Sequence, residues 1–256
     1  MGLQALIFDV DGTVAETADL HRAAFNRAFD EHGLNWHWDR EIYSQLTPVE
    51  FALSKLRLFA AATRQSGHAH VPTPEELAKI ARRKAQLYCQ SVREGAAHLR
   101  PGVARLMQEA QHEGLSLGAV STSTRAETQA LLSATLGFHG MGWFTCLKTA
   151  EDANVGMAER ALYQAVLDDF AIKGHRAVAI DDSASGALAA SRCGMPVLVT
   201  PSLYTASNRF EMAALTLSDL GQPAEAFTII SGNANGHTYV GPALLREISQ
   251  PKAAAA

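Results

Sequence analysis

Three short apolar runs in this chain each stop at a cluster of oxygen-bearing side chains. Residues 3–10 (LQALIFDV) lead into Asp9, Asp11, Gly12 and Thr13; residues 115–123 (LSLGAVSTS) end on Ser121, Thr122 and Ser123; residues 175–180 run into Asp181, Asp182 and Ser183. Carboxylates gathered at one edge repel one another unless a cation sits among them, and hard oxygen donors select Mg2+ over softer metals. A carboxylate nucleophile, a second acid beside it, hydroxyl and backbone donors and Mg2+ together suit transfer of a phosphoryl group.

That chemistry requires the three clusters to converge, which an open α/β sheet achieves by collecting ligands outside the carboxyl ends of its strands. The run 3–10 reads as a buried parallel strand. From Thr17 to about Glu94 the chain changes to amphipathic helical stretches with no strand between them. Arg100-Pro101-Gly102 resets it, after which a helix over 103–113, a strand over 115–123 and a strand-like FTCLK are expected. A helix over 158–170, a strand over 175–180, a helix over 183–192 and a strand over 195–200 follow. This alternation implies a doubly wound, Rossmann-like parallel sheet with a helical cap inserted after the first strand. The expected division is a core of 1–14 and 96–222, a cap of 15–95, and a C-terminal extension of 223–256 with one or two strands, no evident chemistry and a frayed alanine end.

Composition is that of a globular protein: 256 residues, 47% hydrophobic, 19% charged, with a formal net charge of −4. Disordered, collagen-like and disulfide-scaffold classes are excluded. A mildly acidic chain gives no general attraction for nucleic acid or an anionic membrane, so neither is expected as a partner. No apolar run approaches the roughly 20 residues of a membrane span, and the start lacks a secretory leader pattern. Cys89, Cys146 and Cys193, odd in number and widely spaced, read as reduced core filler. The expectation is a soluble cytoplasmic monomer whose partner is a small phosphorylated substrate.

The motifs DVDGT at Asp9 to Thr13, VST at Val120 to Thr122 and IDDSASGALAA at Ile180 to Ala190 resemble motifs I, II and IV of the haloacid dehalogenase superfamily of phosphohydrolases. The stretches LHRAAFNRAFDEHGLNWHWDREIY, LRPGV and VTPSLYT are similar to its CbbY-like sugar-phosphate phosphatases, over roughly residues 3 to 222. Carried across, the resemblance implies Asp9 as nucleophile and Asp11 as general acid/base. It implies Mg2+ held by Asp9, the Asp11 backbone carbonyl and Asp182, with Asp181 beside them, and phosphoryl oxygens held by Ser121 and Thr122 with Gly12 and Thr13. An acid at position 11 favours phosphate esters over a halide leaving group, which needs no proton.

The sequence also departs from that pattern. The resemblance implies a lysine before a helix in the third motif, where aligning on Tyr163 puts Met157. Loss of one preorganised charge costs about 10²- to 10³-fold in rate. Lys148 and Arg160 are the nearby cations that can substitute, Lys148 foremost because it follows a strand end, and each reads equally as a solvated surface charge. In the cap, Phe51-Ala52-Leu53-Ser54-Lys55 stands where relatives carry Gly-Gly-Lys-x-Arg for a substrate's far phosphate. His21 reads either as a hinge residue beside substrate or as a helix-surface histidine, and Glu16 either as a substrate contact or as a helix-start acid. Arg40 reads as a solvated charge or a distal-phosphate contact, and Trp36, Trp38 and Tyr43 as cap core or substrate wall. Three functions stay open: a phosphatase impaired at Met157, a binding protein without turnover, and a phosphomutase.

Overall fold

A computed structural model describes residues 2–65, 71–153 and 159–250. Its sheet has the order β3-β2-β1-β4-β5-β6-β7, with β1 (Ala5–Asp9) as an inner strand. β1 pairs in parallel with β2 (Ser116–Val120) and β4 (Ala177–Asp181). The parallel set continues through β3 (Phe144–Lys148) on one side and through β5 (Val197–Val199) and β6 (Leu215–Leu217) on the other. Among the described residues, β7 (Ile229–Ser231) alone runs antiparallel. All five residues of β1 are buried because both faces of the strand are covered. Leu6 and Phe8 join one core cluster and Ala5 and Ile7 the other, the period-two alternation of a strand between two helical layers.

The helical insert after β1 forms four helices among the described residues, ahead of the helix that leads into β2: α1 (Ala18–Glu31), α2 (Arg40–Leu46), α3 (Ala52–Gln65) and α4 (Pro74–Arg93). They pack around Phe25, Phe29, Trp36, Trp38, Tyr43 and Phe59, so the aromatics at 36, 38 and 43 are core of the helical insert. The Trp38 ring lies 4.6 Å from that of Phe25 and 5.0 Å from that of Phe29 between ring centroids. The start of α4 is set by a capping box between Thr73 and Glu76 with Pro74 in the first turn. α4 also lies against α6 (Arg125–Met141), which follows β2, so the insert touches the sheet's own layer of helices.

α5 (Val103–His112) and α8 (Ala184–Arg192) match the expected helices closely. α7 (Arg160–Asp169) begins two residues later than expected, and residue 158 lies outside the described residues. β4 begins at Ala177 because Gly174–Arg176 forms a 3₁₀ turn. The tail holds one element that hydrophobic patterning did not reveal, α9 (Pro242–Ser249), which buries Leu244 and Leu245. Only two turns long and preceded by irregular chain, it offers too short a period to read. The expected frayed end at 251–256 lies outside the described residues. Among the described residues, no helix is long and apolar enough to cross a membrane.

Candidate active site

β1 delivers Asp9 at its last position, and the chain then turns sharply through Gly12, whose φ is +92°. A Cβ there would stand 2.5 Å from Asp182 Oδ2, so this turn needs glycine both for its backbone and for its closeness to β4. Thr13 Oγ1 donates to Asp9 Oδ2 at 3.1 Å. The buried guanidinium of Arg100 donates to the carbonyls of Gly12, Thr200, Pro201 and Ser218, tying the turn after β1 to the ends of β5 and β6.

The carboxylates of Asp9, Asp181 and Asp182 offer ligand atoms that lie within 4.8 Å of one another, all three residues buried. Burial first, and their mutual repulsion second, push Asp9 upward. The same two causes push Asp182 up to about 7. Asp181 is raised by burial despite Tyr163 Oη at 2.5 Å and the Ser183 N–H at 2.8 Å, which occupy its two oxygens. Asp182 accepts from Thr205 Oγ1 at 3.1 Å. Three buried, unneutralised carboxylates at this spacing fit a hard divalent cation, which removes the repulsion that raises them.

Asp11 faces away from that cluster. Its Oδ1 accepts from Thr17 Oγ1 at 2.8 Å and from His21 Nε2 at 2.8 Å, and its Oδ2 from Ser121 Oγ at 3.0 Å and Ser123 Oγ at 2.8 Å. Burial opposes ionisation, but the His21 ring and the Ser123 and Thr17 hydroxyls outweigh it and hold the carboxyl well below the usual range. Lys84 Nζ lies 2.6 Å from His21 Nδ1 and 2.7 Å from Glu127 Oε1. An ammonium only donates, so Nδ1 accepts and His21 presents N–H at Nε2 to Asp11. Tyr88 stacks flat on the ring at 4.0 Å. The chain Asp11–His21–Lys84–Glu127 thus runs from the β1 turn through α1 and α4 to α6.

These groups edge a cavity of about 550 Å³ between the sheet's carboxyl edge and the helical insert. It is lined by Asp9, Asp11, Gly12, Thr122 and Ser123 on the sheet side, and by His21, Phe25, Tyr43, Phe51, Leu53, Lys84 and Ala85 on the insert side. The sequence profile of the haloacid dehalogenase-like hydrolases matches residues 3–194. The chain belongs to that family. Within it the chain is 38% identical over 223 residues to the plasmid protein CbbY of Cupriavidus necator, covering 87% of this chain and 88% of that protein. CbbY of Rhodobacter sphaeroides in complex with phosphate superposes with a TM-score of 0.78 at 32% identity, over 85% of this chain and 94% of that one. A mutant of the same protein in complex with xylulose-(1,5)-bisphosphate gives 0.79 at 32% identity, over 87% and 98%. CbbY-like membership makes this chain a phosphoric monoester hydrolase.

Not every residue singled out from the sequence stands in the cavity of this haloacid dehalogenase-like hydrolase. Thr13 and Ser121 hold Asp9 and Asp11 from behind without lining it. Lys148 is turned away: β3 is two strands from β1, and its Nζ pairs with Asp169 at 2.7 Å beside Cys146. Glu16 is half-exposed, 3.6 Å from Arg100 Nε, and borders a shallow surface dent instead. Arg160 is exposed at the start of α7, Arg40 is paired with Asp19, and Met157 lies outside the described residues. Lys55, the one matching charge of the cap stretch, is spent on the carbonyls of Leu46, Thr47 and Val49. Burial, then Lys84, pushes its ammonium down to about 8.

Sequence reasoning missed Lys84, Glu127, Thr17, Tyr88, Glu50 and Glu159. Lys84 left a readable signal, since it interrupts the apolar stripe Leu77, Ile80, Leu87 of α4 at core spacing. Glu127 left one as the fourth residue of a capping box begun by Thr124. Glu159 left none.

Proposed function

We propose that this hydrolase removes phosphate from a small phosphorylated sugar through an aspartyl-phosphate on Asp9. The observation that carries the reading is the split of two acids on one turn: Asp9 joins the Asp181 and Asp182 carboxylates, while Asp11 is held apart by four hydrogen bonds. An Asp9 oxygen attacks phosphorus as the ester P–O bond breaks, and Asp11 gives its proton to the departing sugar oxygen. Water then attacks the aspartyl-phosphate, Asp11 takes the water's proton, and Asp9 is released with phosphate. Thr122 lines the cavity where phosphoryl oxygens would lie. Mg2+ would be held by Asp9, Asp182 and the Asp11 carbonyl, with Asp181 braced behind by Tyr163, and would supply charge neutralisation at the transferring group.

Residues 15–95 act in this reading as a cap that shuts water out, and the acting unit is a monomer. Phosphorylated sugars are the substrate class because a CbbY relative is seen with xylulose-(1,5)-bisphosphate. That particular ester is not carried over, since Lys55 is engaged by three carbonyls. Turnover is expected to be slow for the family, because Lys148 is turned away. The test is a sugar-phosphate panel with Mg2+, run beside Asp9→Asn. Phosphate release that exceeds the variant's supports the reading; equal release by both removes it.

A further inference from the structure

One carboxylate of the cavity wall is unaccounted for by the chemistry above. Glu159 is only 8% exposed, lines the cavity, and its Oε2 has no hydrogen-bond partner among the described residues. The Ser185 hydroxyl stands near the carboxylate yet leaves that oxygen unpaired. Glu50, on the insert side of the same cavity, is brought close by the Glu159 N–H, which donates to Glu50 Oε1 at 3.0 Å. Asp181 and Asp182 lie within electrostatic reach of Glu159. It does not, however, join the tight group that Asp9, Asp181 and Asp182 form.

Of the cations that line the cavity, Lys55 gives its N–H groups to carbonyls, Lys84 is bound between His21 and Glu127, and Arg82 is exposed to solvent on α4. A buried carboxylate oxygen without a donor costs several kcal/mol unless it is protonated or meets positive charge. Of these, a bound positive charge is the outcome that suits a site due to receive a phosphate dianion, whose arrival adds to every like charge already present.

We propose that Glu159 and Glu50 form a cation subsite beside the phosphoryl site, separate from the Asp9, Asp181 and Asp182 cluster and filled by a second metal ion or by an ammonium group of the substrate. The metal source stands independently of the catalytic reading, and the ammonium source rests on it. Two carboxylates and a serine hydroxyl are oxygen donors for either occupant, and the half-exposed Glu50 gives the subsite its opening to the cavity.

Two measurements test the subsite and separate its sources. The first counts Mn2+ alone by calorimetry and electron paramagnetic resonance, in the wild-type chain, Glu159→Gln and Glu50→Gln. The metal source predicts two ions per wild-type chain and one in each variant. The second compares binding of phosphoethanolamine and propyl phosphate, which differ in an ammonium against a methyl, to Asp9→Asn in Mg2+. The ammonium source predicts about tenfold tighter binding of phosphoethanolamine, the scale of one charged hydrogen bond, abolished by adding Glu159→Gln. One Mn2+ per chain throughout, together with equal binding of the two esters, overturns the subsite. Both readouts are independent of turnover, so a chain that hydrolyses the sugar-phosphate panel and fails both keeps its catalytic reading and loses this one. Glu50→Gln, at a half-exposed position, keeps the count interpretable should Glu159→Gln fail to fold.

Discussion

Replacing Lys84 by methionine strips a buried ion pair of its cation while keeping the volume of its stem. The side chains of Lys84 and Glu127 are 3% and 2% exposed, so neither can turn to water when the other is lost. Removing one partner of such a pair costs about 3–5 kcal/mol. The lower end applies here, since Glu127 Oε2 keeps the Thr124 N–H at 3.0 Å and Thr124 Oγ1 at 2.7 Å, and only Oε1 is orphaned. For a chain of this length about 3 kcal/mol corresponds to a fall in melting temperature of roughly 6–12 °C. Adding Glu127→Gln removes the unpaired charge and retains the capping residue, so the double variant should regain most of the loss. Scanning calorimetry and urea titration of wild type, both single variants and the double variant give the coupling energy. A Lys84→Met chain within 1 kcal/mol of wild type would refute the picture of a desolvated pair, as would a double variant no more stable than Lys84→Met alone.

Further outcomes follow from the same geometry. Asp9, Asp182 and Glu159 have folded-state values raised above the unfolded ones. Their contribution is therefore complete at acid pH and is lost as pH rises through their raised values, which for Asp182 is about 7. Mg2+ offsets this loss, so its addition should raise the melting temperature more at pH 8 than at pH 5; an equal rise at both would contradict a cation on these carboxylates. Asp11 and Glu127 run the other way, being held low, so what they contribute is present above the unfolded carboxylate range and is lost as pH falls below about 4. Gly12→Ala, with φ at +92° and its new methyl 2.5 Å from Asp182 Oδ2, should lose at least about 2 kcal/mol of stability and most of its affinity for Mn2+ by calorimetry. Lys148→Ala should leave the rate on the sugar-phosphate panel within about twofold, because its ammonium rests on Asp169; a hundredfold loss would return it to the site.

What the sequence made legible was the part of the site written in consecutive residues at strand ends. Asp9, Asp11, Ser121 and Asp182 are each positioned by a buried strand or the turn directly after it, and such runs show in one dimension. Lys148 stands apart from Asp9 for a geometric reason: it ends a strand as Asp9 does, but on β3, whose side chains there meet α7. Lys84 and Glu127 stayed hidden because their partnership spans 43 residues and two helices that no short-range pattern links. Glu159 is a further step removed, since its surroundings are made by the link between α2 and α3, by β4 and by α8 together.

The two acids of the β1 turn are biased in opposite directions, and neither bias is the one that the proposed hydrolysis needs at its first step. Attack by Asp9 requires an ionised carboxylate, yet burial and Asp181 raise it; donation by Asp11 requires a proton, yet His21, Ser123 and Thr17 hold it ionised. The environments reverse only when charge is added, positive beside Asp9 and negative beside Asp11. A divalent cation meets the first condition and a bound phosphate dianion the second, so with only one of the two present one acid is still in the wrong state. The pair on a single five-residue turn thereby makes chemistry conditional on both being in place. The relay through His21 to Lys84 ties the second condition to α4, because the donor that sets the His21 tautomer comes from the helical insert. If Lys84→Met folds, its pH–rate profile for kcat/KM should therefore shift on the limb set by Asp11 while the limb set by Asp9 stays in place. Movement of both limbs together would mean that the insert acts on the whole site through closure alone, and the relay would lose its separate role.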